Sequence, residues 1–354
     1  MSEAKIITRL LSDTPDDLRQ AADLLRAGEL VGIPTETVYG LAADALNGQA
    51  VARIFAAKGR PQDNPLIVHI AAVEDWAPLV QAVPDEARRL AAAYWPGPLT
   101  MILRRSGRVP AAVSAGLDTV AVRMPSHPVA HALIRASGCP LAAPSANRSG
   151  SPSPTDAARV MEDMDGRIAA VVDGGPCRVG VESTVVDLTG CAAGGRPRLL
   201  RPGGVTATQL EAVVGPVEID PAVTGRLAEG VAAASPGMKY KHYAPAARVV
   251  IVRGTPEDYA AFVNGRAGQG VAALCFEEDR GALRVPCVSY GRRDDPASQA
   301  HSLFEALRRL DEQGIRTAYA ACPSAEGMGL AVYNRLLRAA GFEVIDVNGQ
   351  TTGS

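Results

Sequence analysis

The sequence predicts an α/β protein of two units, a larger one with a mixed sheet and a smaller doubly wound one. Three observations carry that expectation. Short Val-, Ile- and Leu-rich runs of strand length alternate with amphipathic stretches of helix length along most of the chain. Some strand-like runs follow one another with no helix between, so the larger sheet is not expected to be purely parallel. Between about residues 214 and 246 the periodicity gives way to a Gly- and Pro-rich stretch. A length of 354 residues fits two domains, expected here as 1–213 and 247–354 with 214–246 as the linker.

The elements of the first unit follow in order. "DTPDDLRQAADLLRAGE" is an amphipathic helix with Thr14 as cap, Pro15 in the first turn, and Asp16 and Asp17 at the positive helix end. "LVGIP" is a strand, and "NGQAVARIFAAKGRP" a helix ended by Gly59 and Pro61. "PLIVHIA" is a strand, "PDEARRLAAAYWPG" a helix stopped at Pro96-Gly97, and "LTMILRR" and "TVAVRMP" are strands. "HPVAHALIRASG" is a helix and "PLAAPSA" a short strand or loop. In "SPTDAARVMEDMDG" a helix is expected with Ser153 as N-cap, Pro154 first and Asp156 completing a capping box. "AAVVDGG", "ESTVVDLTG" and "RPRLLRPGG" are strands.

From Ala247 strands and helices alternate with short breaks: "RVVIVRG", "PEDYAAFVNG", "GVAALCF", "VPCVSYG", "ASQAHSLFEALRRLDEQG", "IRTAYAAC", "GLAVYNRLLRAAG", "FEVIDV". That pattern argues a Rossmann-like domain. No G-x-G-x-x-G follows its first strand, so no dinucleotide is expected there.

Composition narrows the function. At 47% hydrophobic and 21% charged residues the chain is ordinary and globular, and its net charge of −2 argues against a dedicated nucleic-acid binder. The six cysteines form no C-x-x-C pair, so neither a zinc site nor a disulfide framework is expected, and no metal ligands are assigned. "MSEAKIITRL" lacks the apolar core of a signal peptide, and no long apolar run suggests a membrane span, so a cytoplasmic protein is expected. Only four of the 36 basic residues are lysines, and three of them, Lys58, Lys239 and Lys241, lie in "AAKGRP" and "GMKYKHYAP".

No Walker A loop, G-x-S-x-G elbow or H-E-x-x-H motif occurs. The candidate chemistry lies elsewhere. Lys58 and Arg60 flank the glycine where a helix ends. They read either as cations at a negative helix end or as an anion clamp for polyphosphate, with Asn64 as a neutral donor. The polar loop with Ser145 and Asn147, leading to a helix N-terminus, reads either as a capped surface loop or as a phosphate seat. Arg123 interrupts an apolar strand, and a buried arginine needs a carboxylate from the protein or from a ligand. "PTETVYGL" and "GVESTVVDL" both set hydroxyls and a carboxylate among apolar residues. Gathered at strand ends, these groups suggest a small-molecule and nucleotide site.

Taken together, "PTETVYGL", "AKGRPQDNPLIVHI", "WPGPLT", "AGLDTVAVRMPSHP", "APSANRSGSPSPT", "GVESTVVDL", "LLRPG" and "SPGMKYKHYAP" resemble the YrdC-like threonylcarbamoyl-AMP synthases, in their long, two-domain form. The resemblance implies a twisted mixed-sheet domain around a concave cavity. It also implies the conversion of L-threonine, bicarbonate and ATP into threonylcarbamoyl-adenylate and pyrophosphate, with Mg2+ accompanying ATP. The adenylate would pass to transferase proteins that modify transfer RNA, and a weak contact with transfer RNA is among the partners it allows. Lys58, Arg60, Ser145 and Asn147 would form the catalytic and ATP cluster. Asn64, Thr119, Ser153 and Arg201 would add nucleotide contacts, and Tyr240 in the linker would act as a lid. Thr37, His69, Arg123, Ala143 (through its backbone) and Ser183 would form the threonine site, with Thr35 and Glu36 shaping the loop. No distinct catalytic base is visible in the sequence. The rival from another class is a double-stranded RNA-binding module, which the near-neutral charge disfavours.

Overall fold

A computed structural model describes residues 6–226, 235 and 243–348. They form two compact units, one of residues 6–149 and 153–223, the other of 243–348 with the short stretches 150–152 and 224–226.

In the first unit the elements run β1 (Arg9–Leu11), α1 (Pro15–Arg26), β2 (Val31–Ile33), β3 (Gly40–Asp44), α2 (Gly48–Lys58) and β4 (Ile67–His69). Next come α3 (Asp85–Tyr94), β5 (Leu99–Arg104), α4 (Ala111–Ser114), β6 (Thr119–Arg123), α5 (Pro128–Ser137), β7 (Leu141–Ala142) and α6 (Ala157–Met164). The unit closes with β8 (Ala170–Val172), β9 (Thr184–Asp187), β10 (Arg198–Arg201), α7 (Ala207–Val214) and β11 (Glu218–Ile219). The helix termini obey local chemistry. Thr14 accepts the N–H of Asp17 at the start of α1, and Asn47 accepts those of Gln49 and Ala50 at the start of α2. Gly59, at φ 65°, ends α2 in the left-handed conformation.

The sheet has eleven strands in the order β1-β8-β2-β3-β7-β4-β6-β5-β9-β10-β11, with parallel and antiparallel neighbours. One face carries the larger core, including Phe55 of α2, Leu90 of α3, Met164 of α6 and Leu210 of α7. On the other face α1 and α5 pack together over the strands from β1 to β7, burying Leu25, Leu133, Val31 and Val172. Further along that face, Ile67, Ile102, Ala121, Val185 and Leu200 form a small apolar floor on which Ala222 rests. The candidate site is built on this half.

Three features differ from the sequence expectation. Residues 40–44 are a strand, β3, although Gly and Ala have weak strand preference; both neighbours, β2 and β7, hold it by backbone pairing. Residues 207–214 are a helix with a Thr206–Gln209 capping box that the pattern does not announce. The linker expected from residue 214 starts as ordered structure, because β11 pairs with β10 and Ala222 and Val223 are buried.

The second unit holds β12 (Arg248–Arg253), α8 (Pro256–Asn264), β13 (Val271–Cys275), β14 (Cys287–Ser289), α9 (Pro296–Glu312), β15 (Thr317–Ala321), α10 (Gly329–Ala339) and β16 (Val344–Asp346). All pairings of its five-stranded sheet, β14-β13-β15-β12-β16, are parallel, as the alternating pattern predicts. Among the described residues no helix is long and apolar enough to cross a membrane.

Candidate active site

The loop between β2 and β3 answers why polar residues interrupt an apolar stretch. Thr35 organises it: its hydroxyl donates to the Val38 carbonyl at 2.6 Å, sits 2.9 Å from the Thr37 hydroxyl, and accepts the N–H groups of Thr37 and Val38. The loop carbonyls are satisfied from outside, Glu36 O by the Val179 N–H at 2.8 Å and Thr37 O by that of Gly180 at 3.1 Å. The side chains of Glu36 and Thr37 are thereby held against Arg123. Arg123 Nη1 donates to Thr37 Oγ1 at 2.9 Å, and Nε donates to the Gly97 carbonyl at 3.3 Å. Glu36 Oε1 lies 2.7 Å from Arg123 Nη2, with both side chains 4% exposed. The approach is close enough for an ion pair but poorly angled for a hydrogen bond. Neither Glu36 oxygen nor Arg123 Nη2 therefore has a hydrogen-bond partner among the described residues.

Strand register aligns distant parts of the sequence. His69 of β4 is the Cα partner of Arg123 of β6, which pairs with Thr100 of β5; Thr100 pairs with Val185 of β9, and Val185 with Arg201 of β10. Partnered residues share a sheet face, so His69, Arg123, Thr100 and Arg201 form one row above the apolar floor. Ser183, just before β9, joins it. Its hydroxyl lies 2.8 Å from Thr100 Oγ1 and accepts Arg201 Nη2 at 3.1 Å, while Arg201 Nε donates to the Ser183 carbonyl at 3.0 Å. Burial, and then the charge of Arg123, push the His69 imidazole down to about 3, so it is neutral at pH 7. Its Nδ1 has no hydrogen-bond partner among the described residues.

A second group lies at the end of α2. Lys58 is buried, and its ammonium donates to the carbonyls of Ser145 and, at 2.6 Å, Asn147, with Asn147 Oδ1 at 3.5 Å. Burial first and the Arg60 charge second hold its pKa well below the usual lysine range, while those three acceptors favour the charged form. Arg60 rests against the Phe55 ring at 5.3 Å and donates to the Asn64 carbonyl at 3.0 Å. The buried Asn64 keeps an Oδ1 with no hydrogen-bond partner among the described residues.

One chain segment joins the two groups. The buried Ala143 donates its N–H to Ile67 O at 3.1 Å, Ser145 bridges to Gly40, Ala146 N–H donates to Tyr39 O at 2.9 Å, and Asn147 then reaches Lys58. Thr119 opens β6 opposite Arg104, four residues and roughly 13 Å of strand from Arg123. The expected helix cap falls elsewhere. Ser153 is not a helix cap: its hydroxyl is taken by Glu182 Oε1 at 2.5 Å, and Asp156 caps α6 by accepting the Arg159 N–H. Tyr240 lies outside the described residues. From the sequence Glu36 reads only as a loop former, and Thr100 does not stand out. The signal for Glu36 was available: a buried carboxylate and a buried arginine in two apolar contexts need each other. Thr100 carried no signal, because a threonine in a strand is unremarked.

A family model described as "Telomere recombination" (Sua5, YciO and YrdC) matches residues 23–203, and one described as "Threonylcarbamoyl-AMP synthase, C-terminal domain" matches residues 205–341. The chain belongs to the threonylcarbamoyl-AMP synthase family, in its two-domain form. Within that family it is 48% identical over 343 residues to the Bacillus subtilis threonylcarbamoyl-AMP synthase, covering 96% of this chain and 97% of that protein. It is 47% identical over 336 residues to the Pyrococcus abyssi enzyme, covering 93% and 96%. The crystal structure of P. abyssi Sua5 complexed with L-threonine superposes with a TM-score of 0.87 at 45% identity, over 96% of this chain and 99% of that one. The eleven-stranded mixed sheet and the parallel five-stranded sheet are the two-domain threonylcarbamoyl-AMP synthase architecture.

Proposed function

We propose that this protein is an L-threonylcarbamoyladenylate synthase that converts L-threonine, bicarbonate and ATP into threonylcarbamoyl-AMP and pyrophosphate. One observation carries the reading: buried polar atoms of Glu36, His69 and Arg123 stand without hydrogen-bond partners among the described residues, as donors and acceptors awaiting a small polar ligand do. The threonine-bound P. abyssi relative supports the identity of that ligand. Arg123 takes the threonine carboxylate. Thr37, Ser183 and the neutral His69 offer hydroxyl and imidazole groups to its side chain, with the Ala143 backbone alongside.

Lys58 and Arg60, with Ser145 and Asn147, take the phosphates of ATP; Asn64, Thr119, Ser153 and Arg201 add nucleotide contacts. The threonine amine adds to the carbon of carbon dioxide in equilibrium with bicarbonate. A carbamate oxygen then attacks the α-phosphorus, and pyrophosphate leaves. Preorganised cations at the phosphate oxygens stabilise the charge that develops there. Magnesium would accompany ATP, bound to its phosphates. Water must be kept from the carbamate, and the segment with Tyr240 serves as the lid. The adenylate then goes to the transferases that modify transfer RNA.

The test is incubation with ATP, magnesium and bicarbonate plus each amino acid separately. Pyrophosphate release selective for threonine is expected; release without amino-acid selectivity, or none, overturns the assignment.

A further inference from the structure

The sequence offers no catalytic base, yet carbamate formation needs one. When a neutral amine attacks carbon dioxide, the C–N bond forms as one C=O electron pair moves onto oxygen. The product is an N-protonated carbamate, which must lose an N–H proton before it is a stable nucleophile. That proton is acidic, so an ordinary carboxylate is a strong enough acceptor if it is buried beside the nitrogen.

Glu36 meets the description. It is 3% exposed, its backbone carbonyl is tied down by Val179, and both of its carboxylate oxygens lack hydrogen-bond partners among the described residues. A carboxylate can accept several hydrogen bonds, so an ion pair made at a poor angle leaves most of its capacity unused. One oxygen lies 2.7 Å from Arg123 Nη2. Arg123 and Glu36 therefore present adjacent opposite charges, which match the carboxylate and the amino group on one α-carbon. In a threonine whose carboxylate sits on Arg123, the nitrogen is two bonds from the carboxylate carbon, within reach of a group as close to Arg123 as Glu36 is.

Resting on the threonine assignment above, we propose that Glu36 is a catalytic residue, the acceptor of the proton released when the threonine amine is carboxylated. The nitrogen lone pair forms the new C–N bond, the N–H proton passes to a Glu36 oxygen, and the neutral carboxyl group so formed returns the proton to solvent after turnover. Glu36 has no part in the later step at the α-phosphorus, where the carbamate oxygen is already anionic.

This separates two half-reactions. Glu36→Gln keeps the size and one acceptor oxygen but cannot take a proton. Forward threonine- and bicarbonate-dependent pyrophosphate release should fall by roughly 10²- to 10⁴-fold. ATP formation from supplied threonylcarbamoyl-AMP and pyrophosphate, which reverses only the adenylation, should stay within about threefold of wild type. Threonine affinity, measured by calorimetry, should also weaken, because the variant removes the charge that faces Arg123 and the amino group, so forward rates are compared at saturating threonine. A forward rate near wild type overturns the proposal, as does equal loss in both directions, which would mark Glu36 as a positioning residue for Arg123. A wild-type protein inactive with threonine in either direction would instead sink the functional assignment, so the two failures are distinct.

Discussion

At the scale of single residues, the site is defined by buried groups whose charge states are set by their surroundings. His69 is the clearest case. Its imidazole sits at about 3 in the folded protein against an ordinary 6.5, because burial and then Arg123 disfavour the cation. The unfolded chain binds that proton below about pH 6.5 and the folded chain refuses it. The contribution is therefore fully present above pH 6.5 and is lost as pH falls toward 3, by at most about 1.4 kcal/mol per pH unit. Urea unfolding at pH 7 and pH 4.5 should show His69→Asn losing about 2–3 kcal/mol less than wild type over that interval. An identical loss in both would show that His69 is not the source. The same scale shows the limits of sequence reading. Arg123 is conspicuous as a cation inside "TVAVR", whereas its carboxylate partner, 87 positions earlier by subtraction, looks like a loop former until the chain is folded.

At the scale of elements, two glycines separate local geometry from tertiary crowding. Gly59 ends α2 with φ at 65°, and a Cβ there would meet nothing within 4 Å. Gly203 follows β10, and a Cβ there would lie 2.3 Å from the Thr184 nitrogen and 2.5 Å from the Glu182 carbonyl oxygen. Gly59→Ala should cost about 1 kcal/mol, the left-handed penalty alone. Gly203→Ala should cost more, since backbone must move, and it should also raise the KM for threonine by displacing Ser183, which lies within that crowded turn. Thermal unfolding with threonine titration of both variants checks this; equal effects would mean that the close approach does not position Ser183. Helix ends such as Thr14 and Gly59 were legible because capping is local. The cap of α6 was misplaced because the hydroxyl of Ser153 answers to Glu182, 29 residues on, and no local rule contains that contact.

At the scale of the whole molecule, the border between catalytic unit and linker decides what a truncation can test. A cut after Val214 would remove β11, which pairs with β10, and Ala222, which rests on the apolar floor beneath the site. A cut after Arg226 spares both. The longer fragment should unfold cooperatively, and its threonine-dependent pyrophosphate release should fall by at least about tenfold as the carbamate is left open to water. Full activity in a folded fragment ending at Arg226 would show that the later linker is no lid. The shorter fragment should unfold at lower urea concentration whatever its activity.

The sequence by itself determined the α/β class, the alternating parallel unit at the C-terminal end, most helices, the Thr14 and Gly59 caps, and the groups that stand out chemically in apolar surroundings. Those features are written in periodicity and in contacts of a few residues, so they survive without knowledge of the fold. Only the tertiary structure decided that His69, Arg123, Thr100 and Arg201 share one row, that Glu36 faces Arg123, and that residues 40–44 are a strand. In the order β7-β4-β6-β5-β9-β10 the pairs β7-β4, β4-β6 and β5-β9 join strands that are not consecutive in the chain, and which residues become neighbours in such a sheet follows from register and burial summed over the whole unit.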